Sequence, residues 1–148
     1  MNAKKILLPI DFSYPSDAAL PFAAALAKES NAQLLILHVD ELPLAYGGEM
    51  YYGLLNPTRD ELMKMLCNVK PTDPSIRVAH HLVEGNPIGA IVRFAKDEAV
   101  DLIVIGSHGR TGIGRALMGS VAEGVVRKAQ CPVLVHKQPA AKPAAAAS

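Results

Sequence analysis

The sequence predicts an open α/β sheet of five parallel strands with helices on both faces. Three observations predict it. Short, nearly unbroken apolar runs recur at residues 4–10, 33–39, 102–105 and 133–136, as strands covered on both faces require. Stretches with helical apolar spacing separate them. The order βαβαβαβαβ then implies parallel pairing, because right-handed crossovers bring each strand back to the same sheet.

The 148 residues suit one domain, and half of them are hydrophobic, which is enough for a sizeable core. The formal net charge is +1, aromatic residues make up 5%, and tryptophan is absent. That balance excludes the basic footprint and the stacking platforms of nucleic-acid binders. Cys67 and Cys131 form no CxxC pair and have no histidine at zinc-finger spacing, so reduced thiols of a cytoplasmic protein are expected. The first apolar run is too short for a signal peptide or a membrane span, and Asp11 closes it.

The elements follow in order. Strand 1 comes after Lys4 and Lys5. Pro15 and Ser16 open a helix whose apolar positions are Ala18, Ala19, Phe22, Ala23 and Leu26. Lys28 suits its negative end, and Asn31 suits a left-handed stop. After strand 2, residues 40–57 form a long irregular stretch with Tyr46, Tyr51 and Tyr52. A short helix spans 58–69, with Leu62, Met65, Leu66 and Val69 on one face, and Pro71 and Pro74 lie beyond it. In 76–84, Ile76, Val78, His80 and Leu82 alternate onto one side, as in an edge strand with one wetter face. Asn86-Pro87 joins a cap residue to a first-turn proline. Ile88, Ile91, Val92, Ala95 and Ala99 form the buried stripe of that helix. Ser120 and Glu123 read as an S-x-x-E capping box opening the last helix. From residue 138 the chain is rich in Pro, Ala and Lys, so the domain is expected to span 1–137 with a disordered tail at 138–148.

Residues 106–121 read Gly-Ser-His-Gly-Arg-Thr-Gly-Ile-Gly-Arg-Ala-Leu-Met-Gly-Ser-Val. They lie between the carboxyl end of a strand and the amino end of a helix, the edge where open α/β sheets bind ligands. Free N–H groups and the positive dipole end suit phosphate there, and glycines let backbone amides approach it. Arg110 and Arg115 add positive charge. A Walker A loop is excluded, because Gly109-x4-Gly114 is followed by Arg115-Ala116 instead of Lys-Ser/Thr. A Rossmann fingerprint is excluded, because Asp11-Phe12-Ser13-Tyr14 follows strand 1 without a glycine.

The spacing G-x2-G-x9-G-S, at Gly106, Gly109, Gly119 and Ser120, resembles the ATP-binding signature of the universal stress protein family. The resemblance runs across residues 3–137, through 4–13, Leu37-His38-Val39, Gly85-Asn86-Pro87, Gly106-Ser107-His108-Gly109 and Cys131-Pro132-Val133-Leu134-Val135. It implies an adenine-nucleotide α-hydrolase-like sheet of order 3-2-1-4-5. It also implies that Pro9, Ile10, Asp11 and Val39 surround the nucleoside, with backbone from Ile105 and Gly106. Gly109, Gly119, Ser120 and Val121 would hold the phosphates of ATP, with Mg2+ or Mn2+ between them. Ala122 stands where nucleotide-binding members often carry a hydroxyl, and the second helix is shorter than is usual. Family members commonly form homodimers through the last strand, here Val133–His136, an apolar edge that invites pairing.

Individual residues have duller readings. Asp11 serves ribose hydroxyls or merely a turn. Ser120 serves phosphate, its own helix cap, or both. His108 suits a turn better than general-base catalysis. His80 and His81, adjacent on a strand, point to opposite faces and cannot readily share a metal. His38 reads as a satisfied core histidine. The expected function is a nucleotide-responsive, homodimeric stress-response module. A slow ATPase and an interaction protein without nucleotide are the rivals.

Overall fold

The computed structural model describes residues 2–41, 57–107 and 119–137. Five strands, β1 (Lys5–Ile10), β2 (Gln33–Asp40), β3 (Val78–Glu84), β4 (Leu102–Gly106) and β5 (Val133–His136), form one sheet of order β3-β2-β1-β4-β5. Every pairing is parallel. The helices are α1 (Tyr14–Ser30), α2 (Arg59–Cys67), α3 (Pro87–Asp97) and α4 (Ser120–Lys128). The predicted architecture and strand order are both observed.

The apolar runs are unbroken because each strand feeds two cores. On one face Ile6, Leu8, Ile10, Leu34, Ile36 and Val104 pack with Ala19, Ala23 and Ala27 of α1 and Leu62 and Leu66 of α2. On the other, Leu7, Leu35, Leu37, Ile103 and Ile105 pack with Ile91 and Ala95 of α3 and Ala122 and Val125 of α4. Burying each such Leu or Ile stabilises the fold by about 1.5–3 kcal/mol.

Local signals set the helix ends. Ser13 caps α1 by accepting from the Ser16 amide, and Asn31 ends it in the left-handed region at φ 56°. Asn86 Oδ1 accepts from the Gly89 amide at 3.1 Å, capping α3. α2 starts with a full capping box that the sequence reading overlooked. Thr58 Oγ1 accepts from the Glu61 amide, and Glu61 accepts from the Thr58 amide.

Several expectations are corrected. The S-x-x-E box at Ser120 and Glu123 does not form, because α4 begins one residue earlier with Gly119 as its flanking residue. Glu123 instead pairs with Arg127 at 2.9 Å, one turn along the helix. Ala99 leaves the α3 stripe. It is exposed, with φ 55°, and Val100, 6% exposed, takes the buried place. Phe22 and Met65 lie 38% and 40% exposed, because the alanines of α1 and the leucines of α2 already fill their faces. β3 starts at Val78 instead of residue 76, since a turn closed by Ile76 N–H donating to the Asp73 carbonyl precedes it.

Gly109 lies outside the described residues, as do His108, Arg110, Arg115, residues 42–56 with their tyrosines, and the tail 138–148. Cys67 and Cys131 are free thiols. Burial holds the Cys131 thiol above its ordinary pKa, and Asp101 adds to the effect.

Candidate functional site

The site forms where β1 and β4 part. β1 pairs with β2 along its full length, from Lys5 with Gln33 to Ile10 with His38. Its ladder with β4 holds only Ile6 with Leu102 and Leu7 with Ile103. Pro9 comes next but one in this central strand and has no N–H to donate. The carboxyl ends of β1 and β4 are therefore unpaired with each other. This is also the switch point of the sheet, where the chain turns from building toward β3 to building toward β5.

At the end of β1, Asp11 is half-buried, and its Oδ1 accepts from the Ser13 amide at 2.9 Å. The Asp11 amide donates to Ser16 Oγ at 3.3 Å. One carboxylate oxygen thus holds the turn into α1, while no bond to Oδ2 is found among the described residues. Phe12 has φ 65°, a left-handed conformation costing a bulky residue about 1–3 kcal/mol. Its ring lies 4.5 Å from that of His38. His38 Nδ1 donates to the Ile10 carbonyl at 2.9 Å, so this histidine is a satisfied core residue as expected.

Asp17, in the first turn of α1, has its carboxyl held above the ordinary range, first by burial and then by the Asp11 carboxylate. Ionising Asp17 therefore opposes folding. Its contribution to stability is whole below the ordinary carboxylate pKa and is lost as pH rises through the raised value. Asp11→Asn is expected to lower the Asp17 pKa part of the way, leaving the effect of burial. A carbon-detected NMR titration of Asp17 reads this, and an unmoved titration would show that the two carboxylates do not interact.

At the end of β4, Ser107 is fixed from two sides. Its amide donates to the His136 carbonyl at 3.1 Å, and its carbonyl accepts from the Gly119 amide. The chain thus leaves β4 at Ser107 and re-enters the described structure at Gly119, hydrogen-bonded to the same residue. Gly119 flanks α4 with φ −65° and ψ 160° and supplies no side-chain cap. Its carbonyl accepts from the Glu123 amide at 3.0 Å. Among the described residues no side chain caps the N–H groups of the first turn of α4, which lie at the positive end of the helix dipole. An acceptor-rich anion satisfies both conditions.

The model of the universal stress protein family matches residues 2–137. The chain belongs to that family. It is 37% identical over 142 residues to universal stress protein MJ0531 of Methanocaldococcus jannaschii, an alignment covering 92% of this chain and 83% of that one. It is 36% identical to MJ0577 of the same organism, over 91% of this chain and 95% of the relative. The solved structure of MJ0577 superposes with a TM-score of 0.81, over 95% of this chain and all of that one. A universal stress protein from Archaeoglobus fulgidus, solved in complex with dAMP, superposes with a TM-score of 0.63 at 25% identity, over 91% and 98% of the two chains.

Within this universal stress protein fold, the residues singled out from sequence divide into two groups. Pro9, Ile10 and Asp11 lie at the end of β1, and Val39 lies beside them near the end of β2. Ile105 and Gly106 end β4, and Gly119, Ser120 and Val121 begin α4. Pro9, Ile10, Val39 and Ile105 are buried, Gly106 and Val121 half-buried, and Ser120 exposed. Ala122, 2% exposed, packs in the second core. In this chain position 122 serves packing. His80 and His81 do point apart. His80 Nε2 meets the Val69 carbonyl at 2.7 Å, and the His81 ring lies 4.8 Å from that of Phe94. Ser107, which the sequence reading placed in the Gly-Ser-His-Gly segment without a role of its own, has a buried hydroxyl with no partner among the described residues.

Proposed function

We propose that the chain is an adenine-nucleotide-binding regulatory module that holds ATP at the parting of β1 and β4. The observation that carries this reading is the α4 N-terminus, fixed to the end of β4 and flanked by Gly119, which offers no capping side chain. The nucleoside lies against Pro9, Ile10, Asp11 and Val39, with Asp11 accepting from ribose hydroxyls. Backbone of Ile105 and Gly106 borders it. Gly109, Gly119, Ser120 and Val121 hold the phosphates. The dAMP complex of the Archaeoglobus fulgidus relative supports the ligand class. No cluster of three His, Cys, Asp or Glu side chains suited to a metal is found among the described residues. Mg2+ or Mn2+ would accordingly enter with the triphosphate.

The regulatory unit is a homodimer joined through β5. Its two sheet edges differ in a way that supports this. Arg59 donates to the Leu82 carbonyl of β3 at 3.2 Å and approaches Glu84 at 3.9 Å, so charge covers that edge. β5 is half-buried along its length and carries only apolar residues and His136. The family match ends at residue 137, which supports a domain of 1–137. Among the described residues no helix is long and apolar enough to cross a membrane, in keeping with a cytoplasmic protein.

Native mass spectrometry of freshly purified protein tests both claims, with two chains and added nucleotide mass expected. Calorimetric titration with ATP is expected to saturate. An absence of heat for ATP, ADP, AMP and cyclic dinucleotides at millimolar concentration overturns the reading.

A further inference from the structure

We propose that His38 is a positioning residue for the nucleotide, holding the turn after β1 so that the Asp11 carboxylate meets the ribose hydroxyls; this rests on the adenine-nucleotide reading above. The turn is strained just past the strand. Phe12 has φ 65°, a left-handed conformation that a bulky residue keeps only where its surroundings enforce it. Such outliers gather at ligand sites, and this one directly follows Asp11.

The ladder between β1 and β4 stops at Leu7 with Ile103, whereas the ladder with β2 runs on to Ile10 with His38. The end of β1 is therefore steadied from the β2 side. His38, 9% exposed, holds the residue on each side of Asp11. Its Nδ1 donates to the Ile10 carbonyl at 2.9 Å, and its ring lies 4.5 Å from that of Phe12, tilted by 48°. Phe12 also packs at the margin of the first core, on the face of Ile10 and Ile36. The bonds of Asp11 among the described residues lie within the turn, from its amide to Ser16 Oγ and from the Ser13 amide to its Oδ1. They shape the turn from inside. His38 ties it to the sheet from outside, before Asp11 and after it, and so sets where the uncommitted Oδ2 stands relative to Val39, the next residue of β2. The task needs both an N–H donor and a flat ring, and histidine brings the two together.

The test is a double-mutant cycle read by calorimetric titration with Mg-ATP and with Mg-2′,3′-dideoxy-ATP, which lacks the ribose hydroxyls. His38→Phe keeps a ring and removes the donor, while His38→Asn keeps an N–H near the place of Nδ1 and removes the ring. Each is made alone and together with Asp11→Ala. Both His38 variants and Asp11→Ala are expected to weaken Mg-ATP binding by roughly 10-fold, as bonds to a charged acceptor are lost. Affinity for the dideoxy nucleotide is expected to stay within about twofold, so the preference for ATP disappears. Each double variant is expected to bind Mg-ATP within about twofold of Asp11→Ala, because without the carboxylate nothing is left to position. Losses that multiply in the double variants overturn the proposal, and so do equal losses for the two nucleotides, since both mark a general structural role. Mg-ATP affinity unchanged in both His38 variants, or in Asp11→Ala, with wild type binding, overturns it and leaves the nucleotide reading in place. Should His38→Phe fail to fold, His38→Asn decides by the same criteria. Wild type that takes up no nucleotide overturns the proposal together with the function it rests on.

Discussion

Gly119→Val is expected to abolish ATP binding while the fold survives. Gly119 has φ −65° and ψ 160°, a conformation open to any L-residue. The glycine is therefore not needed for its backbone freedom, and the consequence of a side chain falls on whatever approaches the helix start. On the nucleotide reading that is the phosphate chain, which needs the amides of Ser120 and Val121 uncovered. A branched side chain at this point crowds the anion and screens those amides. Affinity is expected to fall by more than about 100-fold, as several charge-assisted bonds are lost together. Valine is a poorer flanking residue than glycine, which costs at most about 1 kcal/mol, or roughly 4 °C of melting temperature. Calorimetry and thermal melting separate the two effects. A variant that still binds ATP like wild type would mean the phosphates sit elsewhere.

Gly124 carries the largest expected effect on stability. It lies in α4 facing Ile88 of α3, and a Cβ built there would stand 2.4 Å from Ile88 Cδ1, 2.9 Å from Cγ1 and 3.1 Å from Cγ2. Ile88 is β-branched and cannot simply swing aside. Gly124→Ala gains about 1 kcal/mol in helix propensity but suffers overpacking of about 1–3 kcal/mol. The result is expected to be neutral to mildly destabilising. Gly124→Val adds two further methyls without that gain, and a loss of about 3 kcal/mol is expected in urea denaturation. Combining Gly124→Ala with Ile88→Ala is expected to show a favourable coupling of about 0.5–3 kcal/mol, because the second change removes the obstructing atoms. Gly124→Val as stable as wild type would show that α3 and α4 can part freely. If they part, the start of α4 moves as well, so on the nucleotide reading affinity for ATP should fall even where stability does not.

The sheet was legible because a strand covered on both faces is apolar along most of its length, as β1, β2 and β4 are. The helix limits at Asn31 and Asn86 were legible because single residues create them, Asn31 by its left-handed backbone and Asn86 by its side-chain cap. Where tertiary contacts choose, the sequence misleads. Ser120 and Glu123 have capping-box spacing, yet the bond from the Gly119 amide to the Ser107 carbonyl fixes Gly119 just outside the helix and makes Ser120 its first residue. Phe22 has the right helical phase for the core, but small alanines bring α1 close to the sheet and leave the ring outside. The glycine spacing marked one wall of the site. The parting of β1 from β4 was hidden, although Pro9 in a central strand was a visible signal for it.

The salt-bridged guanidinium of Arg59 has a consequence for how large an assembly can grow. Were both margins of the sheet available, β3 of one copy could add to β5 of the next, and head-to-tail addition would continue without limit as a fibre. On the proposed pairing through β5, a β3 margin occupied by Arg59 would leave each copy one sticky side, and two such sides would consume each other. Growth would then halt at the pair, and Arg59→Ala is the substitution that would remove the stop.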